Sequence, residues 1–240
     1  MIVVYTEKGW QVTTQRSHGL LAAQLCFHWK KENRHKRWLE TVIATAEHDD
    51  ATNELEAENL ITENGGPVNF SMTHFDKALC TKLMGMAITK SKYISVLTSR
   101  HICFLYASAE DINAQNYCKE LKKDKKKWLK ELGITSKEIE QTYHLLEWCD
   151  AFSLLICQQL IQPESRKIEI STGPDFGTYQ FYAKTEHRLV VEPWPFDEES
   201  FEVIYESKKL EQLTYKNTQD FMKVYMAAKT QFHKYTIAKS

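Results

Sequence analysis

The sequence predicts an α+β protein: a helical core over about residues 15–162, with a small antiparallel β-sheet formed from the two ends of the chain, residues 1–14 and 166–240. Three observations predict it. Six successive stretches place apolar residues at helical spacing, the period falls to two after Pro163, and the opening residues read as a hairpin. At 240 residues and 42% hydrophobic content the chain can bury a sizeable core, and one domain is expected.

"MIVVYTEKGWQVTT" holds two β-prone runs around Lys8-Gly9. An isolated hairpin is marginal, so it is expected to join the later sheet. From Gln15 onward His18, Ala22, Leu25 and Trp29 recur at helical spacing, and the polar "KKENRHK" closes that helix. A second helix is expected over 33–47. Residues 50–73 carry Gly65-Gly66-Pro67 and little periodicity, which predicts a long ordered loop of the kind that often serves function. Helices over 74–89, 91–107 and 111–132 follow, and "GITSKEIE" supplies a stop glycine and a Ser-x-x-Glu start for a helix over 137–162. "RKIEIST", "TYQFYAK", "HRLVVEPW" and "SFEVIYES" then read as an antiparallel meander. A short helix over 219–228 and a strand "TQFHKYTIA" end the chain.

Composition narrows the partners. A net charge of −1 provides no global field for nucleic acid or an anionic membrane, and the Lys-rich "ELKKDKKKWLKEL" interleaves acidic residues as a solvated helix face does. No apolar run reaches the roughly 18–20 residues that span a bilayer, and the opening lacks a basic segment followed by an apolar signal core. A cytoplasmic protein acting on a small molecule is expected, with no nucleic acid, no membrane and a homodimer left open. The six cysteines are scattered without a CxxC pair and read as reduced core residues.

The buried helix faces carry the functional signal. Asp150 interrupts the stripe Tyr143, Leu146, Leu154, Cys157; His101 sits within Ile94, Leu97, Leu105; His18 lies in line with Ala22 and Leu25; Trp38, Val42 and Thr45 lead to Asp49, with His48 beside it. Taken singly, an inward histidine is a satisfied core residue, Asp150 could pair with Arg100, and Asp50 could cap the loop. Desolvating an ionised carboxylate costs several kcal/mol without compensation, so four helices each turning an imidazole or carboxylate inward point to a shared divalent cation.

The order His18, His48-Asp49, Asp150 resembles the H…HD…D signature of the HD superfamily, all-helical metal-dependent phosphohydrolases. More closely, "TTQRSHGLLAAQL", "ATAEHDD", "GGPVNF", "SVLTSRHICFLY", "LLEWCDAFSLLIC" and "VVEPWPF" resemble an uncharacterised bacterial family, domain of unknown function 3891. The HD resemblance implies an HD-like core of about six helices and a metal held by His18, His48, Asp49 and Asp150. It implies catalytic roles for Asp49 and His101, and a second metal or substrate contact for His74, His101 or Asp50. The metal would be iron, manganese, zinc or nickel, and the reaction hydrolysis of a phosphoester or related small molecule. Two alternatives use the same residues: a di-iron oxygen-using enzyme, and a non-catalytic binding or sensor module with a degenerate HD site.

Overall fold

The computed structural model describes every residue from Met1 to Ser240. The chain opens with the hairpin β1 (Ile2–Thr6) and β2 (Gly9–Thr13), then runs through α1 (Gln15–Phe27), α2 (Trp38–Ala46), α3 (Lys77–Lys90), α4 (Lys92–Tyr106), α5 (Ile112–Leu132) and α6 (Ser136–Cys157). Strands β3 (Ile168–Thr172), β4 (Thr178–Thr185), β5 (Arg188–Glu192) and β6 (Ser200–Leu210) follow, then α7 (Thr218–Ala227) and β7 (Thr230–Ala238). Local chemistry sets the helix ends. Thr135 and Glu138 form a reciprocal capping box at the start of α6, Asp76 caps α3 through the amides of Ala78 and Leu79, and Gly133 closes α5 in the left-handed conformation.

An all-helical HD-like core with a small antiparallel sheet is not what these elements build. The fold is α+β with seven helices and a curled, mixed sheet of seven strands in the order β1-β2-β6-β7-β5-β4-β3, shaped as a half-barrel. The expected antiparallel meander holds for β3, β4 and β5 and fails at β6, which does not pair with β5. β7 inserts between β6 and β5, antiparallel to the first and parallel to the second. The reason is burial. Along β6 exposed and buried residues alternate, and its inward Phe201, Val203 and Tyr205 need a cover. Helices α1 and α6 provide it: Leu21, Leu25 and Cys26 from the first and Trp148, Phe152 and Ile156 from the second join those strand residues in a core of 23 buried side chains. Opposite faces of α6 thus serve two purposes, because Ile139, Tyr143 and Leu146 pack in a second cluster with Tyr93, Val96 and Leu97 of α4.

Helix α2 begins at Trp38 rather than at residue 33, because Lys31–Asn33 turns in a short 3-10 helix and the Arg34 guanidinium binds the Trp29 and Phe27 carbonyls. Helix α6 stops at Cys157, five residues short of the expected end, and Gln159 adopts a positive φ of 56°.

One contact between the layers replaces a strand. Over its first half β6 pairs only with β7, and on the other side the α1 side chains bind its backbone. Gln24 accepts from the Ile204 amide at 2.9 Å and donates to the Ile204 carbonyl at 2.8 Å, while Ser17 donates to the Glu206 carbonyl at 2.9 Å and accepts from its amide at 3.3 Å. A sheet edge that would otherwise recruit another chain is satisfied this way. All six cysteines are buried and unpaired, and no helix is long and apolar enough to cross a membrane.

Candidate metal centre

Four helices converge on one polar cluster. His18 projects from the first turn of α1, His48 and Asp49 follow the last turn of α2, His101 comes from α4 and Asp150 from α6. The apolar neighbours on each stripe pin these faces inward, so the three imidazoles are 0–1% exposed and Asp150 8%. Asp49 is the more open carboxylate, with a quarter of its side chain exposed.

The donor atoms lie at ligand-like separations. His18 Nε2 is 3.1 Å from His48 Nε2, 3.7 Å from Asp49 Oδ2 and 3.6 Å from Asp150 Oδ1; His48 Nε2 is 3.7 Å from Asp49 Oδ2 and 3.3 Å from Asp150 Oδ1. Donors placed tetrahedrally at 2.0–2.1 Å from an ion stand about 3.3–3.4 Å apart, which is the scale of these edges. Two overlapping triples, His18-His48-Asp49 and His48-His101-Asp150, have the proximity to hold a metal ion, and His48 belongs to both.

The surrounding hydrogen bonds fix which ring nitrogens carry protons. His48 Nδ1 is 2.7 Å from the Thr45 carbonyl, which can only accept, so the proton sits on Nδ1 and Nε2 is bare in the neutral ring. For His18 the same follows in two steps. Ser153 spends its hydroxyl proton on the Asp150 carbonyl at 2.8 Å, so its oxygen accepts from His18 Nδ1 at 2.7 Å. With both rings neutral, two bare nitrogens face each other at 3.1 Å, an arrangement that a shared cation relieves, whether a proton on His48 or a metal ion. Histidines bound to metals are oriented by such a partner on the other nitrogen. His101 has one too, with Nδ1 3.2 Å from the Tyr143 hydroxyl and Nε2 3.8 Å from Asp49 Oδ1.

Without a metal the cluster charges itself. Burial opposes an imidazolium at His48, but the facing Asp150 and Asp49 carboxylates outweigh it and raise the pKa to about 10. Burial likewise opposes ionisation of Asp49, yet His48 first, then His101 and His18, holds it well below the usual carboxylate range, and Asp150 is lowered by the same neighbours.

The remaining sequence candidates fall outside this cluster of donors. His74 is exposed on the segment entering α3, where it lines the cavity beside the cluster without joining it. Asp50 turns away to Arg16, 3.5 Å from its carboxylate, and the same guanidinium binds its carbonyl. Arg100 pairs with Glu140 at 2.9 Å rather than with Asp150, and lies over the Tyr143 ring. Two supporting residues carry no apolar-stripe signal. Gln15 donates to Asp49 Oδ2 at 2.8 Å, and Ser153 orients His18. Their one legible mark is position, one helical turn before His18 and one turn after Asp150.

Gly19 lets the two halves of the centre meet. A Cβ there would lie 2.4 Å from the Ala46 carbonyl oxygen and 4.0 Å from His48 Cε1. Gly19→Ala must push α1 away from the end of α2, and overpacking of this kind costs about 1–3 kcal/mol. Thermal melts should show that loss, and metal titration should show weaker binding because His18 and His48 separate. Unchanged affinity would mean that the helices yield without moving the imidazoles.

A cavity of about 140 Å³ opens onto Asp49 and His101, walled by α3, α4 and the segment before α3. Comparison with curated proteins and with solved structures gives no match. A family model does match, over residues 1–212, a span that takes in all five residues of the cluster and six of the seven strands. By that match the chain belongs to the family described as protein of unknown function, DUF3891.

Proposed function

We propose that the protein is a metal-dependent hydrolase of a small molecule, with His18, His48, Asp49 and Asp150 holding a divalent ion and Asp49 and His101 facing the substrate. The observation that carries this is the pair of imidazole Nε2 atoms 3.1 Å apart, each ring held through its Nδ1 and the pair flanked by two carboxylates. Borderline nitrogen and oxygen donors suit iron, manganese, zinc or nickel. Such an ion would supply a water whose pKa is lowered toward neutrality. The chain's residues do the rest. Asp150, deep in the cluster, offsets the ion's charge. Gln15 fixes one oxygen of Asp49, which leaves the other free at the cavity floor to take a proton and to align the attacking water. His101, steadied by Tyr143, stands across from Asp49 to meet the substrate's polar group.

Elemental analysis of untagged protein tests the centre. About one equivalent or more of a divalent metal per chain is expected, removable by chelator; a protein that neither retains nor takes up metal would sink the proposal. A di-iron, oxygen-using reading shares these donors, and it predicts iron and visible colour in anaerobically purified protein. Metal bound without turnover of any ester, amide or phosphoester would leave a non-catalytic binding module.

The pH response should separate metal-free from metal-loaded protein. In metal-free protein the His48 pKa stands at about 10 against 6.5 for a free imidazole. Because it is raised on folding, its stabilisation is fully present below pH 6.5 and is lost as pH rises through about 10. The Asp49 and Asp150 contributions have the opposite sense: present above the ordinary carboxylate pKa, they are lost as pH falls through the lowered folded values. Chelated protein should therefore melt at falling temperatures from neutral pH toward pH 10. In loaded protein a metal takes the proton's place, so the gap between loaded and chelated melts should widen over that window. A constant gap would show that His48 carries no metal.

A further inference from the structure

The cavity above the centre has an unusual lining for an enzyme that handles phosphate. No lysine or arginine borders it; its basic groups are the imidazoles of His74 and His101 and the Met1 ammonium, which is already paired with Glu54 at 3.4 Å. Nine of its sixteen lining residues are apolar, Phe70, Leu79, Leu83, Ile102, Leu105 and Tyr106 among them, and Asp76 adds a negative charge. The N-terminus of α3 offers no vacancy for an anion either, since the Asp76 carboxylate already accepts from the amides of Ala78 and Leu79 at 2.7 and 3.1 Å. At the floor, one divalent ion and the Asp49 and Asp150 carboxylates cancel, so the loaded centre presents no net positive charge to a dianion. Phosphate sites ordinarily supply permanent cations or free backbone amides. The size is also informative: an apolar cavity of about 150 Å³ accommodates benzene.

From these observations we infer that the substrate is an uncharged, ring-sized acyl compound, an ester or amide with an apolar body, and not a phosphoester. The inference rests on the metal-dependent hydrolase reading for its reaction, and on the cavity wall for its specificity. The apolar body packs against Leu79, Leu83 and Ile102, and the carbonyl reaches the floor between Asp49 and His101. Hydrolysis is balanced with water alone. Its hydroxyl joins the acyl carbon, the bond from that carbon to oxygen or nitrogen breaks, and the second proton leaves on the departing oxygen or nitrogen by way of Asp49.

Fluorine NMR on the metal-loaded full chain tests the specificity without relying on turnover, with para-fluorobenzamide as the neutral probe and para-fluorophenyl phosphate as the charged one. The benzamide should bind on the order of tenfold tighter or better, because like charges facing across a site are strongly disfavoured. Leu105→Arg, at a lining position 47% exposed, should reverse that preference while leaving metal content unchanged. Leu83→Trp should abolish benzamide binding by filling the cavity. If that variant does not fold, Leu79→Trp, at a position 40% exposed, makes the same test. Equal or tighter binding of the phosphate probe to the unaltered chain, no binding of either probe, or benzamide binding indifferent to the filling variant would overturn the inference. Failure of the hydrolase reading looks different: elemental analysis would find no metal, yet the benzamide would still bind and Leu83→Trp would still remove it.

Discussion

His48→Ala should leave the protein without bound metal and with a melting temperature that chelator no longer moves. His48 is the member shared by both donor triples, and its Nε2 stands 3.1 Å from His18 Nε2 and 3.3 Å from Asp150 Oδ1. Two effects add. The metal loses the nitrogen at its centre, and the buried Asp150 loses the imidazolium that would neutralise it in metal-free protein. Breaking a buried pair by removing one partner costs about 3–5 kcal/mol, so the variant should also melt lower than chelated wild type at neutral pH. Asp49→Ala should likewise lose metal and activity. Asp50→Ala is the contrasting control, because Asp50 faces a half-exposed Arg16, and such a pair is worth about 1 kcal/mol or less. If His48→Ala retains metal, or if Asp50→Ala loses it, the cluster has been assigned to the wrong residues.

Ending the chain at residue 212, where the family match ends, should yield an insoluble or unfolded protein. The missing segment contains β7, which is central to the sheet. β7 pairs with β6 at nine positions, from Ser200↔Ala238 to Lys208↔Thr230, and with β5 at three. Without it the sheet divides into β1-β2-β6 and β5-β4-β3, each with a bare edge, and Tyr235 and Ile237 vanish from the main core. The loss of twelve register pairs and two core side chains exceeds what a domain holding about 5–15 kcal/mol of total stability can absorb. Circular dichroism and size-exclusion of the shortened chain would decide it: a soluble monomer with native helix content would mean the two half-sheets stand alone.

Local and non-local information divide cleanly here. The helices were legible because period and caps are written within each segment, as with Thr135 and Glu138 or Gly133. The sheet's size and order were not. Nothing within "TQFHKYTIA" states that it pairs with residues 200–208 on one side and 188–190 on the other, one antiparallel and one parallel; those partners are chosen by the covering helices and the shared core. The cluster shows the same split. His18, His101 and Asp150 stood out because each breaks an apolar stripe, and the structure brings them together with His48 and Asp49. Asp50 and His74 have suitable chemistry and point elsewhere, since one step along the turn after α2, or one exposed segment before α3, is enough to redirect a side chain. Gln15 and Ser153 are marked only by their spacing from His18 and Asp150, because a glutamine or serine in a helix has many ordinary explanations.

The side chains of Gln24 and Ser17 that stand in for a strand along β6 belong to the same helix as His18. Solvent exchange of the Ile204 and Glu206 amides is therefore governed by how steadily α1 holds Gln24 and Ser17 against the strand, and α1 is tethered at its other face by whatever occupies the centre. Filling the centre should slow deuterium uptake at those two amides far more than at strand amides held by β7, so an isotopic label read on the sheet's rim becomes a gauge of occupancy inside the helices.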